Sequence, residues 1–138
     1  MRYITGGVPW SEEETRGFVE RQVMHHQRFS FCRWKVAGRE GRRLLGFCGA
    51  ELILLDGAAE IEIGWWLARP AWGKGLASEA ASCALDDCLV RAGLKRVVSI
   101  AHPGNTASLR VMQKLGMRHE RNSVYRGSPV VVYSFHNL

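Results

Sequence analysis

The sequence predicts a mixed α/β (α+β) fold, a sandwich of helices on a sheet, folded as a single domain over residues 1–138. Three observations carry that prediction. Three β-like runs between residues 31 and 67 follow one another through short turns, and short turns join antiparallel strands. At Gly75 the apolar period changes from two residues to a helical spacing. The strand–helix–strand passage from residue 60 to residue 101 then needs a parallel or near-parallel pair reached by a crossover. A chain of 138 residues is one domain's worth, and a domain of that size buries roughly 68% of its unfolded surface, enough for a core without staples.

The elements follow in order. Ser11 with Glu14 three residues on matches a capping box, and the acids Glu12, Glu13 and Glu14 suit a helix N-terminus. Phe18, Val19, Val23 and Met24 supply an apolar stripe, so residues 11–27 read as a helix. Residues 31–37 read as a strand, 38–43 as a Gly/Arg turn, and 44–55 as a longer strand with Gly46 and Gly49 as bulge points. Asp56-Gly57 is a strong turn signal, and the alternation that opens residues 60–67 marks a third strand. Residues 75–92 read as a helix, with Leu76, Ala80, Cys83, Ala84 and Leu89 at helical spacings and Gly93 as its stop. Residues 96–101 form a short apolar strand, broken by His102-Pro103-Gly104. Asn105 caps a helix that runs to Leu115 and closes at Gly116. Residues 117–138 read as two strands turning at Arg126-Gly127-Ser128-Pro129.

Composition narrows the function classes. Apolar residues make up 46% and charged residues 23%, which excludes disorder and low complexity. No apolar run reaches the ~18 residues of a membrane span, and Met1-Arg2-Tyr3-Ile4-Thr5-Gly6 lacks the apolar stretch of a signal peptide, so a cytoplasmic location is expected. Cys32, Cys48, Cys83 and Cys88 form no C-x-x-C pair and have apolar neighbours, as buried thiols in a reducing compartment do. Cys83 and Cys88 are expected to pack in the core rather than act as nucleophiles. The net charge of +6 is scattered; its densest group, Arg39, Arg42 and Arg43 around Gly38 and Gly41, reads as a solvated hairpin tip. A nucleic-acid binder gathers charge on one face and interleaves aromatics, so no nucleic-acid partner is expected. The positive balance also suits a small anionic ligand such as a phosphorylated cofactor. No metal site is expected, because His25 and His26 are adjacent and point roughly 100° apart on a helix.

The most informative segment is Trp72-Gly73-Lys74-Gly75-Leu76-Ala77-Ser78-Glu79, between a strand end and a helix start. Two glycines let the backbone approach a ligand, and the first helical turn offers unpaired N–H groups with a partial positive charge. A pyrophosphate fits there without any side chain, and Lys74 can add a point charge. The alternative is a turn that merely starts a helix. It is neither a P-loop nor a dinucleotide fingerprint: Gly73-Lys74 leads to Gly75, position 68 is Ala and position 78 is Ser.

Residues 60–117 resemble the acetyl-CoA-binding core of the GNAT N-acetyltransferase superfamily, in particular its RimJ/RimL-like branch, which acetylates protein N-termini and assorted small amines. The family pattern Q/R-x-x-G-x-G/A falls on Trp72-Gly73-Lys74-Gly75-Leu76-Ala77, with Trp in place of Gln or Arg. The family's Asn-x-x-Ser helix ending at Gly-Phe/Met falls on Asn105-Thr106-Ala107-Ser108 through Gly116-Met117, and Glu62-Ile63-Gly64-Trp65-Trp66-Leu67 fits the strand before the loop. The resemblance implies a mostly antiparallel sheet with a central parallel β-α-β crossover and helices on both faces. Chains of the family normally carry another strand and helix before the equivalent of Met1-Arg2-Tyr3-Ile4. Their lack here leads us to expect an open sheet edge covered by a second subunit, as a homodimer.

The resemblance further implies direct attack of an amine on acetyl-CoA as co-substrate, with no metal. The amine must be neutral: roughly a tenth of an α-amino group is at pH 7, against about 0.04% of a lysine. Glu60 and Glu62 lie two apart on one strand face, which Gly64 and Trp66 continue. Glu62 borders Gly64, where the family's thioester approaches, and is the favoured base; the bland alternative is a solvent-facing pair of acids. Main-chain N–H groups at Trp66 or Leu67 are the oxyanion donors if this strand splays from 96–101. The 73–78 amides (Gly73, Lys74, Gly75, Leu76, Ala77, Ser78) bind the coenzyme, and Asn105 bonds its pantetheine or simply caps its helix. Many relatives place a Tyr where this chain has Met112, so Ser108 is the candidate acid for the departing thiolate, or else a residue that tightens the helix start; Tyr125 is a second donor. His102 can touch cofactor, and Trp10, Phe29, Trp65 and Trp66 line an acceptor pocket or form plain core. The expected function is acetyl transfer to a primary amine, on a protein N-terminus or a small molecule. A catalytically silent acyl-CoA-binding or regulatory module is the competing reading, motivated by Met112 and the short N-terminus.

Overall fold

A computed structural model describes residues 10–39 and 43–137. The N-terminal hexapeptide and the middle of the predicted Gly/Arg hairpin tip lie outside the described residues. The chain order is α1 (Glu12–Phe29), β1 (Arg33–Ala37), β2 (Leu44–Leu55), β3 (Ala58–Leu67), α2 (Leu76–Asp86), β4 (Arg96–Ala101), α3 (Thr106–Lys114), β5 (Arg118–Tyr125) and β6 (Ser128–His136). A 3-10 turn (Arg69–Ala71) precedes α2 and a π-helical turn (Asp87–Arg91) follows it. One six-stranded sheet has the order β1-β2-β3-β4-β6-β5. Every neighbouring pair is antiparallel except β3 with β4.

Strand alternation sorts the side chains onto two faces. Phe47, Gly49 and Glu51 of β2 stand opposite Trp66, Gly64 and Glu62 of β3 on the face that α1 covers. There Phe18 of α1 packs on Phe47 with centroids 4.7 Å apart, and Gln22 reaches Glu51. On the other face Ile63, Val97 and Ala50 pack with Leu85, Cys88 and Met112 beneath α2 and α3. Helices therefore cover both faces.

The capping box forms as predicted: Glu14 N–H donates to Ser11 Oγ and Ser11 N–H donates to Glu14 Oε1. The predicted stripe of α1 does not form. Phe18 and Gln22 are buried, whereas Val19 and Val23 are each 53% exposed and Met24 67%. The inner face runs through Phe18, Gln22, His25 and Phe29, and its polar members bond the sheet. His25 Nε2 accepts from Leu52 N–H at 3.0 Å, so its Nδ1 donates to the Phe31 carbonyl at 2.8 Å.

Gly46 does adjoin a bulge of β2 against β1, where Val36 pairs with Gly46 and Ala37 with Leu44 so that Leu45 is the extra residue, whereas Gly49 is in regular register with both neighbouring strands. Both glycines mark close approaches: a Cβ would stand 1.9 Å from the Trp66 carbonyl oxygen at Gly46 and 2.1 Å from that of Cys32 at Gly49. The predicted 75–92 helix is α-helical only to Asp86. Cys83 is exposed, while Cys32, Cys48 and Cys88 are buried. The expectation that Cys83 packs with Cys88 fails because five residues turn an α-helix through about 140° from alignment. Burial pushes the Cys48 thiol up to about 12 and the Cys88 thiol up to about 11, so both are inert apolar groups.

Candidate active site

The parallel pair in the middle of the sheet builds the site. β3 and β4 share a single registered pair, Glu62 with Val98; beyond it the strands have no ladder partners on the sides that face each other. Backbone direction alternates along a strand, and Ala68 N–H donates to the Leu45 carbonyl at 2.7 Å. The N–H of Trp66 therefore points to β2 as well, and those of Ile63, Trp65 and Leu67 point toward the gap. Of the two predicted oxyanion donors, Leu67 faces the splay and Trp66 does not.

Because β3 and β4 are parallel, the helices that follow them begin at the same end of the sheet. Gly73 and Gly75 both have φ of +73°, a left-handed conformation that glycine adopts without a Cβ penalty. A Cβ built at either would have no atom within 4 Å, so the loop backbone is open to close approach. Among the described residues no carbonyl or side chain accepts from the N–H groups of Gly73, Lys74, Gly75, Leu76, Ala77 and Ser78, and α2 has no side-chain cap. Six orphan donors at a helix N-terminus attract an anion. Trp72, which stands where the family pattern has Gln or Arg, ties this loop back to the strand: its Nε1–H donates to the Leu67 carbonyl at 2.8 Å, and Arg69 lies 5.5 Å from its ring centroid. At α3, Asn105 Oδ1 accepts from Ser108 N–H at 3.3 Å, leaving the Asn105 amide Nδ2 and the Ser108 hydroxyl without protein partners among the described residues. His102 bonds locally, its Nδ1 accepting from Gly104 N–H at 2.9 Å. Met112 is wholly buried in the core.

On the α1 face of β3, Glu62 is buried, not solvent-facing. Its Oε1 accepts from an Arg33 guanidinium nitrogen, whose other nitrogen donates to Glu51 at 2.7 Å. Glu62 Oε2 has no partner among the described residues and keeps some contact with solvent. Burial drives the Glu62 carboxyl up to about 7; Arg33 pulls it down, Glu51 pushes it up, and Arg126 pulls it down more weakly. The Trp66 ring folds over Gly64, and the Arg33 guanidinium stacks on it at 4.5 Å from the centroid. Glu60 belongs to a different arrangement, accepting from Arg96 at 3.1 Å. An open cleft of about 410 Å³ has Glu51, Tyr125 and Arg126 among its lining residues, so Tyr125 stands on the Glu51–Glu62 side of the sheet. Of the aromatic residues considered for an acceptor pocket, Trp10 stacks on Phe47 and Trp66 joins that cluster, while Trp65 packs in the core on the opposite face.

Arg33, Glu51 and Gln22 were not legible as site residues. The signal was present in register rather than in any motif: Arg33, Gly49 and Gly64 form one row across three strands, and two bare positions leave room for a long side chain. Among the described residues no group of three His, Cys, Asp or Glu side chains can hold a metal ion. No helix among them is long and apolar enough to cross a membrane.

A splayed parallel pair with an anion-attracting loop after one strand and a buried carboxylate on that strand defines an acyl-CoA-dependent acetyltransferase. Residues 1–118 match the acetyltransferase (GNAT) domain family. The chain belongs to that family. It is 29% identical over 133 residues to the uncharacterized protein YkkB of Bacillus subtilis, covering 96% of this chain and 76% of YkkB. An acetyltransferase of the GNAT family from Bacillus anthracis superposes with a TM-score of 0.80 at 30% identity, over 99% of this chain and 80% of that one. RimL, a ribosomal alpha-N-protein acetyltransferase solved with coenzyme A, shares the fold at a TM-score of 0.75 and 23% identity, over 92% of this chain and 73% of RimL.

Proposed function

We propose that this chain transfers the acetyl group of acetyl-CoA to a primary amine, on a protein N-terminus or a small molecule, by direct attack of the neutral amine. The observation that carries the reading is the run of unpaired N–H groups from Gly73 to Ser78 at the start of α2. These residues fit the coenzyme: the amides would hold its diphosphate, Lys74 would add a point charge, and the Asn105 amide would donate to the pantetheine. The coenzyme bound by RimL supports this choice of ligand. Acetyl-CoA supplies a thioester carbonyl open to an amine.

The chain's own groups then divide the work. Glu62 Oε2 accepts the amine proton, and a carboxyl poised at about 7 is half in its basic form at neutral pH. The Leu67 N–H, aimed into the gap, stabilises a carbonyl oxygen that gains negative charge. The Ser108 hydroxyl, a turn into α3, donates to the departing thiolate.

Acetyl-CoA binding and turnover test the proposal. Saturating acetyl-CoA raises the melting temperature, because a ligand that binds only the native state stabilises it by mass action. Thiol release with a panel of amines and N-terminal peptides then identifies an acceptor, and Glu62→Gln abolishes it. No melting shift at saturating coenzyme rules the reading out, and turnover undiminished in Glu62→Gln removes the assigned base.

A further inference from the structure

We propose that Arg33 is the positioning residue of this site: its guanidinium fixes the orientation and the charge state of the Glu62 carboxylate. The inference rests on the reading of Glu62 as proton acceptor and adds a residue from β1, an edge strand among the described residues. Arg33 lies on β1, two strands from Glu62. It reaches that far because its row across the sheet continues through Gly49 and Gly64, neither of which presents a side chain.

The arginine is held at both ends. At its root, Arg33 N–H donates to Gln22 Oε1 at 2.8 Å, and Gln22 Nε2 donates to Glu51 at 3.3 Å, so α1 braces the arrangement. At its tip, the guanidinium bridges Glu51 and Glu62 and lies on the Trp66 indole. The Arg33 side chain is 11% exposed and that of Glu62 8%, so the pair is little screened by water. Arg33 Nε is buried without a partner, so the placement follows the two carboxylates and the ring rather than full satisfaction of the arginine's donors. Engaging Oε1 leaves Oε2 as the open atom, which is what a proton acceptor needs.

Arg33 from β1, Glu51 from β2 and Arg126 from the β5–β6 turn act on Glu62. Val98 of β4 opposite it is apolar, and the polar groups of α1, Gln22 and His25, bond elsewhere. Without Arg33, the negative charge of Glu51 is opposed only by the weaker pull of Arg126, and Glu62 keeps its proton to higher pH.

Carboxyl 13C NMR of glutamate-labelled protein reads this directly, with the Glu62 signal assigned by its loss in Glu62→Gln. In Arg33→Met the Glu62 midpoint rises by about one to three units. In Glu51→Gln, which spares the arginine, it falls. An unmoved midpoint in folded Arg33→Met, or in folded Arg33→Gln should Arg33→Met not fold, overturns the proposal. The pH profile of kcat/KM for an amine that turns over is measured alongside, and its acid limb moves with the midpoint. A midpoint that moves while the limb stays put refutes Glu62 as the base and leaves Arg33's hold on it intact.

Discussion

The indole of Trp66 lies so close over Gly64 that a Cβ at residue 64 would stand 2.3 Å from ring atom Cη2. The glycine is there to accommodate a neighbour two residues along the same strand. The ring in turn forms the platform for Arg33. Gly64→Ala therefore displaces the indole and loosens the arginine. Overpacking of this kind costs about 1–3 kcal/mol, and acetyl transfer falls further than stability does. Urea denaturation and initial rates on the same preparation check this; a variant with wild-type rates shows that the platform is dispensable.

Gly75 precedes α2 with φ of +73°. Gly75→Glu strains the backbone and places a negative charge where an anion is expected, so the thermal shift induced by acetyl-CoA disappears. Gly75→Ala separates the two effects: the left-handed conformation costs roughly 1–2 kcal/mol of apoprotein stability, while a substantial coenzyme shift persists. Coenzyme affinity unaltered in Gly75→Glu places the diphosphate elsewhere.

Two carboxyls with large shifts in opposite directions, Glu62 and Glu120, make stability depend on pH. Glu62 is raised from 4.5 to about 7, so between those values the native state holds a proton that the unfolded chain has lost. Stability consequently falls as pH rises through that window, by on the order of 3 kcal/mol at about 1.4 kcal/mol per unit. Glu120 is held down to about 2 by Arg96, so its contribution is present above 4.5 and is lost as pH falls toward 2. Unfolding free energies at pH 5 and pH 8 fall less in Glu62→Gln than in the wild type. Equal slopes in the two proteins contradict the assignment.

Asn105 and Ser108 separate by variant because they share one hydrogen bond asymmetrically. The cap bond uses the Asn105 side chain and the Ser108 backbone N–H. Asn105→Ala costs about 1 kcal/mol of stability and weakens coenzyme binding. Ser108→Ala keeps the cap and the stability but lowers kcat. Calorimetry with steady-state kinetics distinguishes them, and an unaffected kcat in Ser108→Ala assigns thiolate protonation to another donor such as Tyr125.

The order of elements along the chain, the crossover and the glycine loop ahead of α2 were legible because they depend on local signals: alternation in residues 60–67, glycines flanking Lys74, and asparagine ahead of an apolar helix. The buried face of α1 was not, because it is carried by Gln22 and His25, polar residues that bond groups brought close only by folding. Hydropathy points instead to Val19, Val23 and Met24, which face outward. Glu62 was legible as a candidate, but its burial and its Arg33 partner, 29 residues away in sequence, arise from strand register. Gly49 illustrates the same limit: a glycine in a strand can mark a bulge or a close approach, and only the neighbouring strand decides which.

The sheet is stitched through its middle at one point, residue 62 against residue 98. The strands on either side of that stitch form two panels with a seam left open between them. On the proposed function, a coenzyme lodged in that seam would be mortar as well as reagent, touching both panels at once.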